Sequence, residues 1–265
     1  MTIELLTGGQ ANTVFAVTFP SGERVVLRLH PRTDGFAGTI TTIVRLAALR
    51  LPVPEVLASG QARDFSWMIL GWTPGVELRW ALTGMTKEQQ TRVAEQIVSF
   101  QRRVNTLPQG DGFGFVPPDT PGTHATWWEL LQTHPRLDEA PDDLKAYLHA
   151  VPPTCFLDDI TGKNVLIENG ELAGLIDLDC VCYGDPLYWL ALTHVGLICD
   201  TATEFYALEL IRLWSPDPLE RRVLALYSAL MADDFLSWFS AHESSEWQQR
   251  MQAARERWFQ TANEK

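Results

Sequence analysis

The pair Asn169-Gly170 separates two short apolar runs, residues 165–167 and 172–176. A tight turn between antiparallel strands needs positive φ at both central residues, and Asn-Gly tolerates this better than most pairs. The sequence therefore predicts a β-hairpin here. Because a hairpin brings its two ends together, Asn164 before the first run and Asp177 after the second are predicted to lie at one edge of a small sheet.

Asp159 lies five residues before Asn164, so three oxygen-bearing side chains are predicted to converge. Phosphoryl transfer depends on positioning, on metal ions that bridge phosphate oxygens and on a carboxylate that accepts the proton of the acceptor hydroxyl. Mg²⁺ takes few hard oxygen ligands from protein and leaves room for phosphates and water. Two of the three side chains could hold Mg²⁺ and the third could orient an attacking hydroxyl. The alternative is an ordinary surface hairpin with polar ends.

Length and charge narrow the class of protein. The chain has 265 residues, enough for one large domain or for two lobes with a sizeable core. Its formal net charge of −12 argues against nonspecific binding to nucleic acid and permits a cationic substrate. No apolar run approaches the roughly 20 residues of a membrane span, so no membrane partner is expected. The first residues lack the basic region and apolar core of a secretory signal, which makes the cytoplasm the expected location.

The four cysteines are expected to be free, buried thiols. Cys180 and Cys182 lie on one face of an extended segment, so half of a metal site is the alternative. No second pair has the spacing of a zinc site, and His194 is a lone neighbour.

The first third of the chain is predicted to be rich in strands. Alternating or continuous apolar patterns predict strands, and apolar residues at helical spacing predict a helix. The strands are predicted at residues 13–19, 24–30 and 67–72, and the helix at residues 39–49. The last strand ends at Thr73-Pro74-Gly75, which we take as the boundary between an N-terminal unit, residues 1–72, and a C-terminal unit, residues 73–265.

The remainder of the chain is predicted to be mainly helical. Thr86 is a predicted N-cap for a helix that reaches Val104, and residues 108–123 are rich enough in Pro and Gly to form a loop. Asp185 followed by Pro186 is predicted to open a helix beyond the hairpin. Further helices are predicted to begin at residue 127 and to occupy residues 144–150, 203–214, 219–239 and 246–260.

This order of motifs resembles the aminoglycoside phosphotransferase and choline-kinase-like family, which comprises small-molecule kinases of the protein-kinase-like fold. The most specific part is residues 155–191, which contain Asp159-Ile-Thr-Gly-Lys-Asn164, Ile-Asp177-Leu-Asp and Tyr-Gly-Asp-Pro. The resemblance implies an α+β, two-lobed fold with a small antiparallel-sheet N-lobe for nucleotide and a mainly helical C-lobe. It implies a phosphotransferase with an alcohol group as acceptor, which uses ATP (or GTP) and Mg²⁺.

The resemblance implies a role for each matching residue of the C-terminal half. Asp159 matches the catalytic base, and Asn164 and Asp177 match the Mg²⁺ ligands. Asp179 follows two residues later and is either a supporting ligand or a solvated carboxylate.

In the N-terminal third, the positions that match nucleotide-binding segments of the family are Gly8, Gly9, Asn12, Thr13, Arg28, Leu70, Gly71 and Thr73. The first four match the turn over the nucleotide phosphates, since glycine lets the backbone approach phosphate closely. Arg28 matches the cation that contacts the α- and β-phosphates, and the last three match the segment that pairs with adenine. The alternatives are a plain turn, a solvated strand cation and a buried strand.

The chain departs from the family pattern at three places. Leu157-Asp158 stands where the family has His-Gly, and Asp158 is expected to point away from Asp159 because neighbours in an extended segment face opposite ways. The first helix has no acidic residue to pair with Arg28, unless Asp34 or Glu55 substitutes. Trp189 replaces an aspartate that usually braces the catalytic segment.

Three hypotheses follow from these features. The first is a kinase that phosphorylates a hydroxyl of a small substrate, such as an aminoglycoside-like compound, an amino-alcohol or a sugar. The second is a degenerate kinase fold that binds nucleotide or a partner without transferring phosphate. The third is a structural or interaction module, suggested by ten tryptophans. The acceptor is not named by the sequence, and no signal for the oligomeric state is present.

The negative charge near the C-terminus bears on the acceptor. Asp233-Asp234 and Glu243 either line an acidic pocket for a cationic acceptor or form the solvated face of the helix predicted at residues 219–239.

Overall fold

A computed structural model describes residues 1–6, 12–198, 203–239 and 243–264 of the chain. Gly8, Gly9 and Cys199 therefore lie outside the described residues. Within these ranges no helix is both long and apolar enough to cross a membrane.

Strands dominate the first third of the described chain and helices the remainder. The strands are β1 Thr2–Leu6, β2 Thr13–Thr18, β3 Arg24–His30, β4 Val56–Ala62, β5 Phe65–Gly71, β6 Val76–Glu77, β7 Gly114–Val116, β8 Thr154–Phe156, β9 Val165–Glu168, β10 Glu171–Leu175 and β11 Val181–Gly184. The helices are α1 Ala37–Ala48, α2 Leu78–Ala81, α3 Lys87–Val104, α4 Trp127–Leu131, α5 Asp142–Ala150, α6 Leu187–Ile198, α7 Glu204–Trp214, α8 Pro218–Phe239 and α9 Ser245–Asn263. Short 3₁₀ turns occur at Leu82–Gly84 and Pro135–Glu139.

The N-terminal sheet has five antiparallel strands in the order β1-β2-β3-β5-β4. Helix α1 contributes Ile43 and Leu46 to the same buried cluster as Met68 and Leu70 of β5. The strand β3 has the predicted bounds, and α1 begins two residues before the predicted start. The expected antiparallel-sheet N-terminal part is confirmed.

The two strands that sequence patterning missed, β1 and β4, are the edges of this sheet. Four of the five residues of β1 are exposed, so its sequence carries no inward-facing apolar alternation. The strand β4 contains Ser59 and Gly60, which are unusual in strands. Edge strands pair on one side only and bury less side-chain surface, so their apolar signal is weak.

The helical part packs around α8, whose residues from Val223 to Ala232 are all buried. A helix surrounded on all sides has no polar stripe, which is why its sequence is apolar around the full turn. Helix α3 begins as predicted, since Thr86 and Gln89 form a reciprocal capping box. The mainly helical C-terminal part is also confirmed.

Residues 72–75 connect the two parts of the fold. The strand β5 ends at Gly71 in the N-terminal sheet, and β6 pairs with β9 in a second sheet of order β10-β9-β6. The chain therefore passes from one sheet to the other within a few residues.

The predicted hairpin is confirmed. The strands β9 and β10 are antiparallel and pair Glu168 with Glu171 next to the turn, and Asn169 and Gly170 have φ of 52° and 78°. A register shift between Leu172 and Gly174 adds one residue to β10 before it reaches the site. The positive φ values are those that a tight primed turn requires.

Replacing Gly170 by alanine is expected to destabilise the protein by about 2 kcal/mol. A side chain in the left-handed region costs about 1–2 kcal/mol. The new Cβ would also lie 1.9 Å from Nε2 of Gln89, whose Oε1 accepts the N–H of Thr86 in the capping box. Urea unfolding monitored by circular dichroism measures the loss.

Gly22 provides the matched control, because its φ is +89° and a Cβ there would meet nothing within 4 Å. Gly22→Ala should lose only the backbone part, about 1 kcal/mol. Equal losses in the two variants would show that displacing Gln89 costs nothing.

Candidate functional site

Hydrogen bonds connect Asn164 with Asp159 and with Ile176, the residue that precedes Asp177. The N–H of Ile176 donates to the carbonyl of Asn164 at 2.9 Å, which closes the hairpin at its open end. The Nδ2 of Asn164 donates to the carbonyl of Asp159 at 2.8 Å. Asn164 is buried, and its amide nitrogen is held by this bond, which leaves its amide oxygen as the group able to bind a cation. Asp159, Asn164 and Asp177 thus lie together.

Asp177 adopts a left-handed backbone conformation, with φ of 59°. Among residues with a side chain, Asp and Asn tolerate this region best. The conformation turns the chain directly after β10, and half of the Asp177 side-chain surface remains exposed. Partial burial raises the pKa of Asp177, Arg28 opposes this effect, and Asp179 and Asp159 add to it.

The Asp159 carboxylate is oriented from within its own loop. Thr161 Oγ1 donates to Oδ1 at 3.0 Å, and Lys163 Nζ lies 3.3 Å from Oδ2. Both partners come from the segment between Asp159 and Asn164, so the loop itself orients the carboxylate. The side chain stays partly exposed and can reach a bound molecule.

A cleft of about 170 Å³ lies at these carboxylates. Its lining residues come from the segment after β8 and the segment after β10, and they are Leu157, Asp158, Asp159, Ile160, Asp177, Leu178, Asp179 and Cys180. Cys155, Cys180 and Cys182 are free thiols, and burial raises the pKa of Cys180 to about 12. Among the described residues, no group of three or more His, Cys, Asp and Glu side chains surrounds one metal position.

Asp158 lines this cleft beside Asp159, so the prediction that it faces away is wrong. Alternation holds for extended backbone, whereas β8 ends at Phe156 and the chain bends at residue 158. Burial, with repulsion from Asp159, raises the pKa of Asp158 to about 6. The cleft therefore carries four acidic residues rather than three.

The segment before Asp159 is braced by Gln101 of α3. The N–H of Leu157 donates to Gln101 Oε1 at 3.0 Å, and Gln101 Nε2 donates back to the Leu157 carbonyl. Leu157 stands where the family has histidine, and it is buried. Its side chain therefore packs in the core, while its backbone makes the hydrogen bonds to Gln101. Gln101 was not predicted from the sequence. It lies four residues after Ile97 on the apolar stripe of α3, and a glutamine at such a position indicates a buried hydrogen bond.

Arg28 pairs with the segment after the hairpin. Its Nη2 lies 3.3 Å from Asp177 Oδ1 and 2.9 Å from Asp179 Oδ2, and Arg28 is only 6% exposed. The suggested substitute partner Asp34 instead pairs with Arg32 at 3.0 Å. The partners of Arg28 are therefore two acidic residues of the other half of the chain.

The remaining nucleotide-site candidates fall at two places. Asn12 Nδ2 lies 3.4 Å from Asp179 Oδ2, and Thr13 opens β2 opposite Leu29. The segment predicted to bind adenine is less open than expected. Leu70 belongs to the buried core cluster, the N–H of Gly71 donates to Glu55 at 2.8 Å, and Thr73 packs against Gly174 of β10.

A buried network around Asp185 supports the segment that follows the site. Asp185 accepts the N–H of Leu187 at 3.0 Å and the hydroxyl of Tyr227 at 2.9 Å, and Trp127 Nε1 donates to Tyr227 at 2.7 Å. Asp185 therefore caps α6 as predicted and connects it to α8 and α4. Trp189, which replaces the bracing aspartate, is fully buried beside Trp214.

Replacing Asp185 by asparagine is expected to make the protein more sensitive to acid. Burial raises the pKa of Asp185 from 3.8 to about 6 in the folded state. Between about pH 4 and pH 6 the folded state then binds more protons than the unfolded one, so this group adds stability as the pH falls through that window. Two pKa units correspond to ~3 kcal/mol.

His194 acts in the opposite direction, because burial lowers its pKa from 6.5 to about 4 and its stability contribution is lost on acidification. Wild-type protein combines both effects, whereas Asp185→Asn keeps only that of His194. Urea unfolding at pH 5 and pH 7 tests this, and a variant whose stability changes with pH as the wild type's does would contradict it.

Tyr188 connects Asp158 with a second group of acidic residues. The pKa of Tyr188 is raised by burial and by the nearby charges of Asp234 and Asp158. Asp234 lies 3.7 Å from His134, while Asp233 pairs with Arg255 at 2.8 Å.

Glu243 lies just beyond the C-terminal end of α8, where its N–H donates to the carbonyl of Phe239. Of the three acidic residues singled out near the C-terminus, only Asp234 therefore shares a neighbour with the cleft.

The fold and the site together define a class. An antiparallel N-terminal sheet brings Arg28 to a cleft lined by Asp159 and Asp177, and Asn164 is bonded to Asp159 beside it. A helical C-terminal part follows, and this is the architecture of small-molecule kinases with a protein-kinase-like fold. A family model described as "Phosphotransferase enzyme family" matches residues 2–227. The chain belongs to the phosphotransferase enzyme family.

Known relatives agree with this assignment. Hygromycin-B 4-O-kinase of Escherichia coli is 24% identical over 208 residues, which are 70% of this chain and 60% of that protein. A thermostable mutant of aminoglycoside phosphotransferase APH(4)-Ia, in ternary complex with AMP-PNP and hygromycin B, superposes with a TM-score of 0.71 at 20% identity and covers 100% of this chain and 95% of that chain. Amicoumacin kinase hAmiN, in complex with AMP-PNP, Ca²⁺ and Ami, superposes with a TM-score of 0.63 at 13% identity, covering 97% and 87%. At these identities the structures show a shared fold.

Proposed function

We propose that this protein transfers the γ-phosphate of ATP, or of GTP, to a hydroxyl group of a small molecule. The observation that supports this most directly is that Asn164 is hydrogen-bonded to Asp159 at 2.8 Å and to Ile176, the residue before Asp177, at 2.9 Å, which brings the three side chains to the end of the hairpin. Family membership over residues 2–227 agrees with it. We expect the reaction to take place in the cytoplasm, as the sequence suggests.

Residues 1–72 form the nucleotide lobe in this proposal, and residues 73–265 form the lobe that carries the catalytic residues and the acceptor. Arg28 contacts the α- and β-phosphates, because a guanidinium presents paired donors to phosphate oxygens. Phosphates that enter here can use the Nε donor of Arg28, which has no hydrogen-bond partner among the described residues, while Nη2 stays bonded to Asp177 and Asp179. The proposed remainder of the nucleotide site is Gly8, Gly9, Asn12, Thr13, Leu70, Gly71 and Thr73.

Asn164 and Asp177 fit a Mg²⁺ ion that arrives with the nucleotide. One amide oxygen and one carboxylate are hard ligands, and two protein ligands leave positions for phosphate oxygens and water. When bound, Mg²⁺ neutralises negative charge on the phosphates during transfer. The left-handed backbone of Asp177 turns the chain at the mouth of the cleft, and the Asn164 amide is fixed by its bond to Asp159.

Asp159 is the proposed base. Thr161 and Lys163 hold its two oxygens in different directions, which orients the carboxylate toward one position of the acceptor hydroxyl. Its carboxylate accepts the hydroxyl proton as the acceptor oxygen bonds to the γ-phosphorus and the bond from that phosphorus to the β-phosphate oxygen breaks, which releases ADP or GDP. Gln101 supports this arrangement indirectly, because it holds the backbone of Leu157 two residues earlier.

The acceptor is proposed to carry an amino group beside its hydroxyl, as in amino-alcohols and aminoglycoside-like compounds. The charges of Asp158 and Asp234 both raise the pKa of Tyr188, so both carboxylates lie near this side chain. A protonated amine near Asp234 would place a neighbouring hydroxyl toward Asp159. The net charge of −12 also favours a cationic molecule.

Replacing Asp234 by asparagine is then expected to raise KM about tenfold for an amine-bearing acceptor, since a hydrogen bond to a charged group contributes about 1.5–3 kcal/mol. Asp233→Asn is the matched control, because Asp233 is the preceding residue and pairs with Arg255 instead. Steady-state kinetics at saturating nucleotide separate the two variants. Equal KM values would exclude Asp234 from the acceptor site.

The activity itself is tested with a panel of amino-alcohols, sugars and aminoglycosides, by following release of ADP or GDP with Mg²⁺ present. Turnover of at least one hydroxyl compound, with phosphate on the product, is the expected result.

The hypothesis of a nucleotide-binding protein without transfer has one specific support, which is that Asp159 pairs with Lys163 and Asp177 with Arg28. Nucleotide binding by thermal shift without turnover on any acceptor would favour it.

A further inference from the structure

Asp179 receives hydrogen bonds from three separate parts of the N-terminal unit. Thr39 of α1 donates to Oδ1 at 3.0 Å. Arg28 of β3 donates to Oδ2 at 2.9 Å, and Asn12, just before β2, donates to the same oxygen at 3.4 Å. A single carboxylate therefore connects a strand, a helix and the end of the predicted phosphate turn.

The sequence left Asp179 as either a supporting metal ligand or a solvated carboxylate, and these bonds indicate a third role. Both of its oxygens accept bonds from the N-terminal unit, one bond at Oδ1 and two at Oδ2. Arg28 and Thr39 are buried, so these donors are held in place and are not free to turn to solvent. The geometry thus favours a contact between the two units over a metal ligand.

We propose that Asp179 is a positioning residue, which holds Arg28 and α1 over the nucleotide phosphates in the kinase function proposed above. Helix α1 has no acidic residue to pair with Arg28, and Thr39 reaches Arg28 through the Asp179 carboxylate instead. Asp179 follows Asp177 by two residues. The position of α1 is therefore coupled to the segment that contains Asp177, the proposed metal ligand, as well as to Arg28 of β3.

Thr39→Val tests the proposal, because it removes one hydroxyl and keeps the side-chain shape. Thr42→Val is the matched control, since Thr42 is equally buried on the same helix and its hydroxyl donates within the helix to Gly38 at 3.0 Å. The affinity for MgATP, measured by calorimetry, should fall roughly tenfold in Thr39→Val. It should stay at the wild-type value in Thr42→Val and return toward that value in Thr39→Ser.

Asp179→Asn and the double variant complete the experiment. Asp179→Asn should weaken MgATP binding at least as much as Thr39→Val, and adding Thr39→Val to it should cause little further loss because both changes remove the same connection. The Mg²⁺ concentration that gives half of the maximal nucleotide binding should not change in Asp179→Asn. A large increase in that concentration would identify Asp179 as a metal ligand and overturn the proposal.

Two further outcomes would also overturn it and are distinguishable from each other. In the first outcome the wild-type protein binds MgATP, and Thr39→Val and Thr42→Val bind it with equal affinity. This refutes the role of Asp179 and leaves the proposed kinase function intact. Binding of neither MgATP nor MgGTP by the wild-type protein refutes the kinase function and, with it, the role of Asp179.

Discussion

Replacing Asp159 by asparagine is expected to lower kcat by about 10²–10⁴-fold, the usual contribution of a general base. Asparagine has nearly the same shape, accepts the Thr161 hydroxyl and lacks a site for the transferred proton. Because the proposed nucleotide contacts lie elsewhere, the affinity for MgATP should stay within about twofold, which is less than half a kcal/mol. Steady-state kinetics with any accepted hydroxyl compound, together with calorimetric nucleotide binding, measure both quantities.

Asp64→Asn is the control for removing one acidic charge, because Asp64 is exposed in the turn between β4 and β5. Its kcat should match that of the wild type. If Asp159→Asn retained full activity, Asp159 would not be the base, and Asp158, which lines the same cleft, would be the next candidate. If the wild-type protein and Asp159→Asn were both inactive on every acceptor, the hypothesis of nucleotide binding without transfer would be favoured.

Asp177→Asn is expected to lower kcat/KM for MgATP by at least about 100-fold, since metal stabilisation of the phosphates contributes several kcal/mol and each 1.36 kcal/mol is a factor of ten. Asparagine keeps an oxygen but loses the charge that attracts Mg²⁺. The ion pair with Arg28 is also lost, but at 3.3 Å and with half of the carboxylate exposed it contributes little to stability. Activity measured against Mg²⁺ concentration should show a much higher requirement for the metal.

The backbone of Asp177 makes the choice of variant important. At φ of 59°, asparagine is tolerated as well as aspartate, whereas alanine costs about 1–2 kcal/mol of folding stability. Asp177→Asn should therefore unfold at the wild-type urea concentration and Asp177→Ala at a lower one. An asparagine variant with unchanged Mg²⁺ dependence would show that Asp177 is not a metal ligand.

Local conformational preferences explain what could be predicted about the hairpin and the helix ends. Asn169-Gly170 satisfies the positive φ values of a tight turn by itself, and the Thr86 capping box is formed by residues three apart. Such features depend on a few neighbouring residues, so the same short segment favours the same geometry in many contexts. The closeness of Asn164 to Asp177 follows from the hairpin alone.

The orientation of Asp158 could not be predicted, because it depends on where β8 ends. The rule that neighbours face opposite ways holds only while the chain is extended, and the chain bends at residue 158. Gln101 was missed for a related reason. A glutamine on an apolar stripe indicates a buried hydrogen bond but does not identify its partner, which here is Leu157, 56 residues later.

The sequence by itself therefore determined the segments that carry the chemistry, namely the loop from Asp159 to Asn164 and the hairpin that ends at Asp177, because turn and cap geometry is a property of neighbouring residues. Only the tertiary structure decided how Arg28 is paired. Its partners Asp177 and Asp179 lie 149 and 151 residues away in sequence. A buried guanidinium needs an acidic partner, but which one it finds depends on how the N-terminal sheet packs against the rest of the protein.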